Sequence, residues 1–148
     1  MANYSLTASR AASATKTVGV IGATATPRRI KVYEMTFGCS GAPADNIFQW
    51  QAQRFTAAGT TTAVTPQPLD PADAAALSAG GSNATVEPTY TANQILLTVA
   101  LNQRATFRWV APPGGELVTP ATNANGLGVT NPVATALTVD LDLKFQEQ

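Results

Sequence analysis

Asn93 to Leu117 read NQILLTVALNQRATFRWVAPPGGEL, and this stretch decides the fold class. Ile95, Leu97, Val99 and Leu101 alternate along its first run, and Ala105, Phe107 and Trp109 along its second. A period of two is that of a β-strand with one face turned to a core. Asn102 and Gln103 then read as the turn of a hairpin. Pro112 and Pro113 cannot donate to a ladder, and Gly114 and Gly115 admit positive φ, so the sheet stops there and resumes at Glu116 to Val118. Arg104 and Arg108 fall on the face opposite Phe107 and Trp109. That places aromatics inside and cations outside, and argues against a stacking platform for nucleic acid.

Downstream, residues 119–132 hold Pro120, Asn125-Gly126, Gly128 and Pro132, with a short strand at Leu127 to Val129 at best. The last strand has the cleanest pattern in the chain: Leu137, Val139, Leu141, Leu143 and Phe145 face in, while Thr138, Asp140, Asp142 and Lys144 face out. Upstream, Asn83 to Thr91 reads as a strand interrupted at Pro88, and Thr60 to Thr65 as another. Between them Asp70 as N-cap, Pro71 at the first position and Asp73 in the first turn predict one short helix near residues 71–79, ended by Gly80.

Asn46 to Phe55 alternates Phe48, Trp50 and Ala52 against Gln49, Gln51 and Gln53. The three glutamines form an uncharged row suited to a subunit contact. Ile30 to Cys39 carries an apolar row at Tyr33, Met35, Phe37 and Cys39, and Thr17 to Ile21 is a short β-branched run. Residues 1–16 are small and polar apart from Tyr4 and Leu6, and read as an N-terminal arm or an edge strand preceding a domain at 17–148. As an arm, this segment would add Tyr4 and Leu6 to a neighbour's sheet edge. About eight strands and one marginal helix predict an all-β protein, a single-domain β-sandwich with jelly-roll or Greek-key connections.

A chain of 148 residues has a folded surface of roughly 7,100 Å², enough to enclose a core without metals or disulfides. Nine basic residues balance nine acidic ones. No net field therefore steers the chain to nucleic acid or an anionic membrane, and near-zero charge favours association. Cys39 is the single cysteine and reads as a buried, inert thiol. The start has no apolar signal core and no run is long enough to span a bilayer, so synthesis in a cytoplasm is expected.

The sequence contains no histidine, which removes Ser-His-Asp and Cys-His catalysis and the usual zinc sites. Asp140 and Asp142 share a strand face, but a calcium ion wants six to eight oxygens and no acidic loop adjoins them. Neither Gly114-Gly115 nor Gly126-Leu127-Gly128 has the lysine, helix or third glycine of a phosphate cradle. The expectation is no catalytic residue, no cofactor and no metal.

Asn102-Gln103-Arg104-Ala105, Phe107-Arg108-Trp109 and Pro113-Gly114-Gly115-Glu116-Leu117-Val118, with Leu69-Asp70-Pro71-Ala72-Asp73 upstream, resemble small β-rich proteins encoded among the virion genes of tailed bacteriophages. That class includes capsid decoration, or cement, proteins. The resemblance, which runs from about Lys31 to the C-terminus, implies a homotrimer on the capsid surface, bound to the major capsid protein; the candidate interface residues, Tyr4, Leu6, Gln49, Gln51 and Gln53, come from the arm and the glutamine row. The alternatives are another virion part (tail, neck or head fibre) and a carbohydrate-binding module, which requires Trp50 or Trp109 to be exposed.

Overall fold

The structure, a computed structural model, describes residues 1–11, 15–131 and 137–148. Strands β1 (Asn3–Arg10), β2 (Thr17–Gly22), β3 (Ile30–Ser40) and β4 (Ile47–Ala57) alternate between two sheets. They are followed by β5 (Thr60–Val64), β6 (Gln67–Pro68), β7 (Ala79–Val86), β8 (Thr89–Asn102), β9 (Phe107–Val110), β10 (Leu117–Val118), β11 (Gly126–Thr130) and β12 (Thr138–Glu147). The first four pair antiparallel with later strands in reverse order: β1 with β12, β2 with β11, β3 with β9 and β10, β4 with β8. Rolled up, this double ribbon gives β1-β12-β3-β9 in one sheet and β2-β11-β4-β8 in the other. That is the connection pattern of a jelly roll.

The alternating rows supply the core. Val139, Leu141, Leu143 and Phe145 of β12 are buried against Leu6 and Tyr4 of β1 and Met35 and Phe37 of β3. From the facing sheet, Trp50 lies between Phe37 and Phe48, with ring centroids 5.0 and 5.7 Å away. Each such side chain contributes about 1.5–3 kcal/mol by leaving water.

Two expectations fail. The first is the hairpin: β8 closes the second sheet against β4, and β9 joins the first sheet against β3. Asn102 does turn the chain, since Ala105 N–H donates to its carbonyl at 2.9 Å. The turn, however, bridges the two sheets. The buried Gln103 fixes it by exchanging bonds with the 44–46 loop, donating N–H to Asn46 O and accepting from Ala44 N–H, both at 2.9 Å.

The helix near 71–79 is also absent. Asp70 caps as expected, accepting Ala72 N–H at 2.9 Å, but one turn is all that forms. Backbone groups a helix would use are taken elsewhere: Tyr4 Oη donates to Ala74 O, Thr24 Oγ1 to Leu77 O, and Leu77 and Ser78 N–H donate to the Glu147 carboxylate.

The short strand expected at Leu127 to Val129 forms, as part of buried β11 at the middle of the second sheet. Its glycines are packing devices: a Cβ on Gly126 would collide with Ile21 O and the Phe55 ring, and one on Gly128 with Tyr90. Of the arm and the edge strand expected at the N-terminus, residues 3–10 form the strand. All eight pair with β12 from Asn3↔Gln146 to Arg10↔Val139.

Candidate assembly surface

The two sides of the sandwich are treated differently. On one, the 58–87 segment extends both sheets and ends them in short strands: β7 pairs with β2, β5 with β7, and β6 with Tyr4 and Ser5 of β1. On the other, β8 ends the second sheet, β9 and the two-residue β10 end the first side by side on β3, and among the described residues nothing pairs beyond β8. Proteins usually blunt a long edge with lysine, proline, bulges or a covering element. β8 has 14 residues, TYTANQILLTVALN, and none is Asp, Glu, Lys, Arg or Pro.

Its two halves differ. Asn93 is at φ 59, and a bulge lies at Leu96, where the register with β4 slips between Ala52 and Gln53. The bulge sets both Leu96 and Leu97 against the core and throws Ile95 out to 48% exposure, which breaks the expected Ile95-to-Leu101 row. From Leu97 to Asn102 the pairing with β4 is regular.

In this regular half, Leu97, Val99 and Leu101 stand opposite Ala52, Trp50 and Phe48, which are buried, yet they are themselves only half-buried. Across the gap, Phe107 and Trp109 of β9 stand opposite Phe37 and Met35. They point inward as alternation predicts, but at an edge: Phe107 keeps 37% exposure and Trp109 is half-buried. The core therefore has an apolar mouth between β8 and β9.

Gln49, Gln51 and Gln53 lie beside this mouth on the outer face of the second sheet, partly exposed, next to Ala100, Thr98 and Ile95 of β8. The structure thus joins the glutamine row to the β8 edge in one uncharged surface. Tyr4 and Leu6 do not belong to it: at 4% and 1% exposure they are core residues, and as surface contacts they are corrected. Sequence reasoning missed the β8 edge, whose one signal was 14 residues without a charge.

Several charged groups are engaged in holding the fold. Arg108 grips Glu34 with two bonds, Nε to Oε1 at 2.9 Å and Nη2 to Oε2 at 2.8 Å, which together with Lys144 hold the carboxyl below its ordinary range. Lys144 binds Asp142, and Ser5 Oγ donates to the other Asp142 oxygen at 2.9 Å. Asp142 is therefore committed, and among the described residues no group of three acidic, cysteine or histidine side chains could hold a metal.

Glu87 accepts Lys16 N–H and the Thr17 hydroxyl, latching the start of β2 to the β7–β8 turn, and Thr17 Oγ1 lies 2.8 Å from Tyr90 Oη. Burial pushes the Tyr90 phenol up. The adjoining cavity of about 260 Å³ is shared by Gln51 and Gln53.

Cys39, expected to be buried, is half-exposed near the end of β3; burial and then Asp140 still push its thiol up. No helix among the described residues is long and apolar enough to cross a membrane.

Comparison of the chain with protein-family models, with curated proteins and with solved structures returns no match.

Proposed function

We propose that this chain is a structural subunit that binds a larger protein assembly through its β8–β9 side, in the manner of a decoration or cement protein on the head of a tailed bacteriophage. The observation that carries this reading is the asymmetry of the sandwich: one side ends in the short strands β5 and β6, of 5 and 2 residues, while the other ends in the 14-residue uncharged β8 beside an apolar mouth. Jelly rolls recur among viral capsid and lectin domains, although the fold alone does not set a function. The virion setting comes from the resemblance of the 102–118 and 69–73 segments.

In this role the chain acts by non-covalent clamping. The major capsid protein and further copies of the chain are its partners, and the uncharged surface of Gln49, Gln51, Gln53 and β8 can meet copies of itself without like-charge repulsion. Co-sedimentation with purified, fully expanded capsids tests it. Saturable binding with a raised capsid melting temperature is the expected result; no binding to heads, or density for the chain only in tail or neck, contradicts it.

A carbohydrate-binding role is the second reading. The half-exposed Phe107 and Trp109 rings favour it, while Trp50, at 0% exposure, offers no stacking face. A glycan array discriminates the two.

A further inference from the structure

We propose that a cavity of about 450 Å³ between Arg29, just ahead of β3, and Arg54 of β4 binds a phosphate group, free or as the monoester of a small molecule, on the two guanidinium groups and Thr119. Val118, Pro120 and Ala121 complete its wall. The site does not depend on what the β8 edge meets.

Arg54 stands opposite the buried Leu127 in the ladder with β11, so its side chain leaves the second sheet on the inner face and reaches the first. Nε and Nη2 donate to Val118 O at 3.0 and 2.8 Å, and Nη1 donates to Gln94 Oε1 at 3.3 Å. These bonds fix the guanidinium in place, but both acceptors are neutral. Of its five N–H donors, one on each terminal nitrogen is left over.

Arg29 is exposed, and its side chain has no hydrogen-bond or ion-pair partner among the described residues. No acidic residue lines the cavity. Glu116, two residues before Val118, spends its carboxylate on the N–H groups of Glu116 and Gly114, which hold it below its ordinary range. Two cations thus share one cavity without a carboxylate between them.

Thr119 supplies an independent sign. It is 0% exposed, and its Oγ1 is sealed from solvent without a partner among the described residues. Buried hydroxyls normally have a partner, and an anion in the cavity would give this one its acceptor.

Phosphate fits this set better than carboxylate. A phosphate monoester carries about −1.5 to −2 charges at pH 7 and three acceptor oxygens, against two guanidinium charges and three donor groups. Arginine also suits phosphate through paired N–H donors. The cavity falls within the range of small-molecule sites, about 300–1,000 Å³, so the organic part of an ester has room beside Val118, Pro120 and Ala121.

Thermal melts and phosphorus NMR titrations with inorganic phosphate and with glycerol phosphate, at constant ionic strength to hold screening fixed, test this. Each probe should raise the melting temperature saturably and broaden its own phosphorus line. Arg29→Gln should melt like the native chain without phosphate and bind at least about tenfold more weakly, as loss of one charged hydrogen bond implies. Arg28→Gln removes the same charge at a different cavity and should bind normally. Thr119→Val should weaken binding and leave the phosphate-free chain as stable as before. Tighter binding of glycerol phosphate assigns the ester and equal binding the free ion, and either upholds the site. No saturable binding, an equal loss in Arg28→Gln, or a Thr119→Val chain already destabilised without phosphate overturns the proposal. So does acetate that binds as tightly as phosphate, which would make the site one for carboxylates.

Discussion

Trp50 on β4 and Val99 on β8 face each other across one ladder and both point into the sandwich, yet Trp50 is sealed at 0% exposure while Val99 is half-open. The core thus thins by one strand, from closed to open. Truncation should register this. Trp50→Ala should cost about 3–5 kcal/mol in urea melts, and Val99→Ala in the dilute chain about 1 kcal/mol or less. Equal losses would mean that Val99 is already covered within a single chain.

β1 belongs to the fold, with Tyr4 stacked on Phe145 at 5.4 Å between ring centroids. Deleting residues 2–10 should remove the cooperative melting transition followed by circular dichroism. A truncated chain with an unchanged melting temperature would restore the free-arm reading.

All three tyrosines, Tyr4, Tyr33 and Tyr90, have phenols pushed up, in each case first by burial. A phenol raised in the folded state supports folding fully below its unfolded value of about 10, and that support is lost as pH rises beyond it. Absorbance titration should show less phenolate near pH 10 in the native protein than in the unfolded chain, with the rest appearing as the chain unfolds at higher pH. Normal titration of the folded protein by all three would contradict their placement.

Cys39 is accessible but held as the thiol, with Asp140 contributing to the upward shift. Asp140→Asn should therefore speed its reaction with a disulfide reagent at mildly alkaline pH, where the thiolate fraction sets the rate. An unchanged rate would remove Asp140 as a cause.

Where one face of a strand is core, its alternation spelled out the structure: Phe48, Trp50 and Ala52 on β4, and Val139 to Phe145 on β12, lie as their spacing predicts. The β-sandwich class was legible because those strands recur at regular turn signals, with jelly-roll and Greek-key connections both left open. What was not legible depends on partners distant in sequence. β11 reads as no more than a short strand among turn residues because glycine packs against Phe55 and Tyr90 there, which no local pattern reveals. The Asp70 cap is a genuine local signal overridden by Glu147, some seventy residues on. Of the candidate surface, Gln49, Gln51 and Gln53 were visible as an uncharged row. The β8 edge was not, because a strand at a sheet's end and one in its middle share the same alternation.

Hydrogen exchange along β8 tests the central claim most directly. If the β8–β9 side is an assembly surface, amides in Leu97 to Asn102 that point away from β4 should exchange slowly, and more slowly still as concentration rises or capsids are added. Those of β5, the opposite edge, should not respond. Rapid exchange of the same β8 amides at every concentration, with capsids present or absent, would show that the edge stays open to water and that the account is wrong.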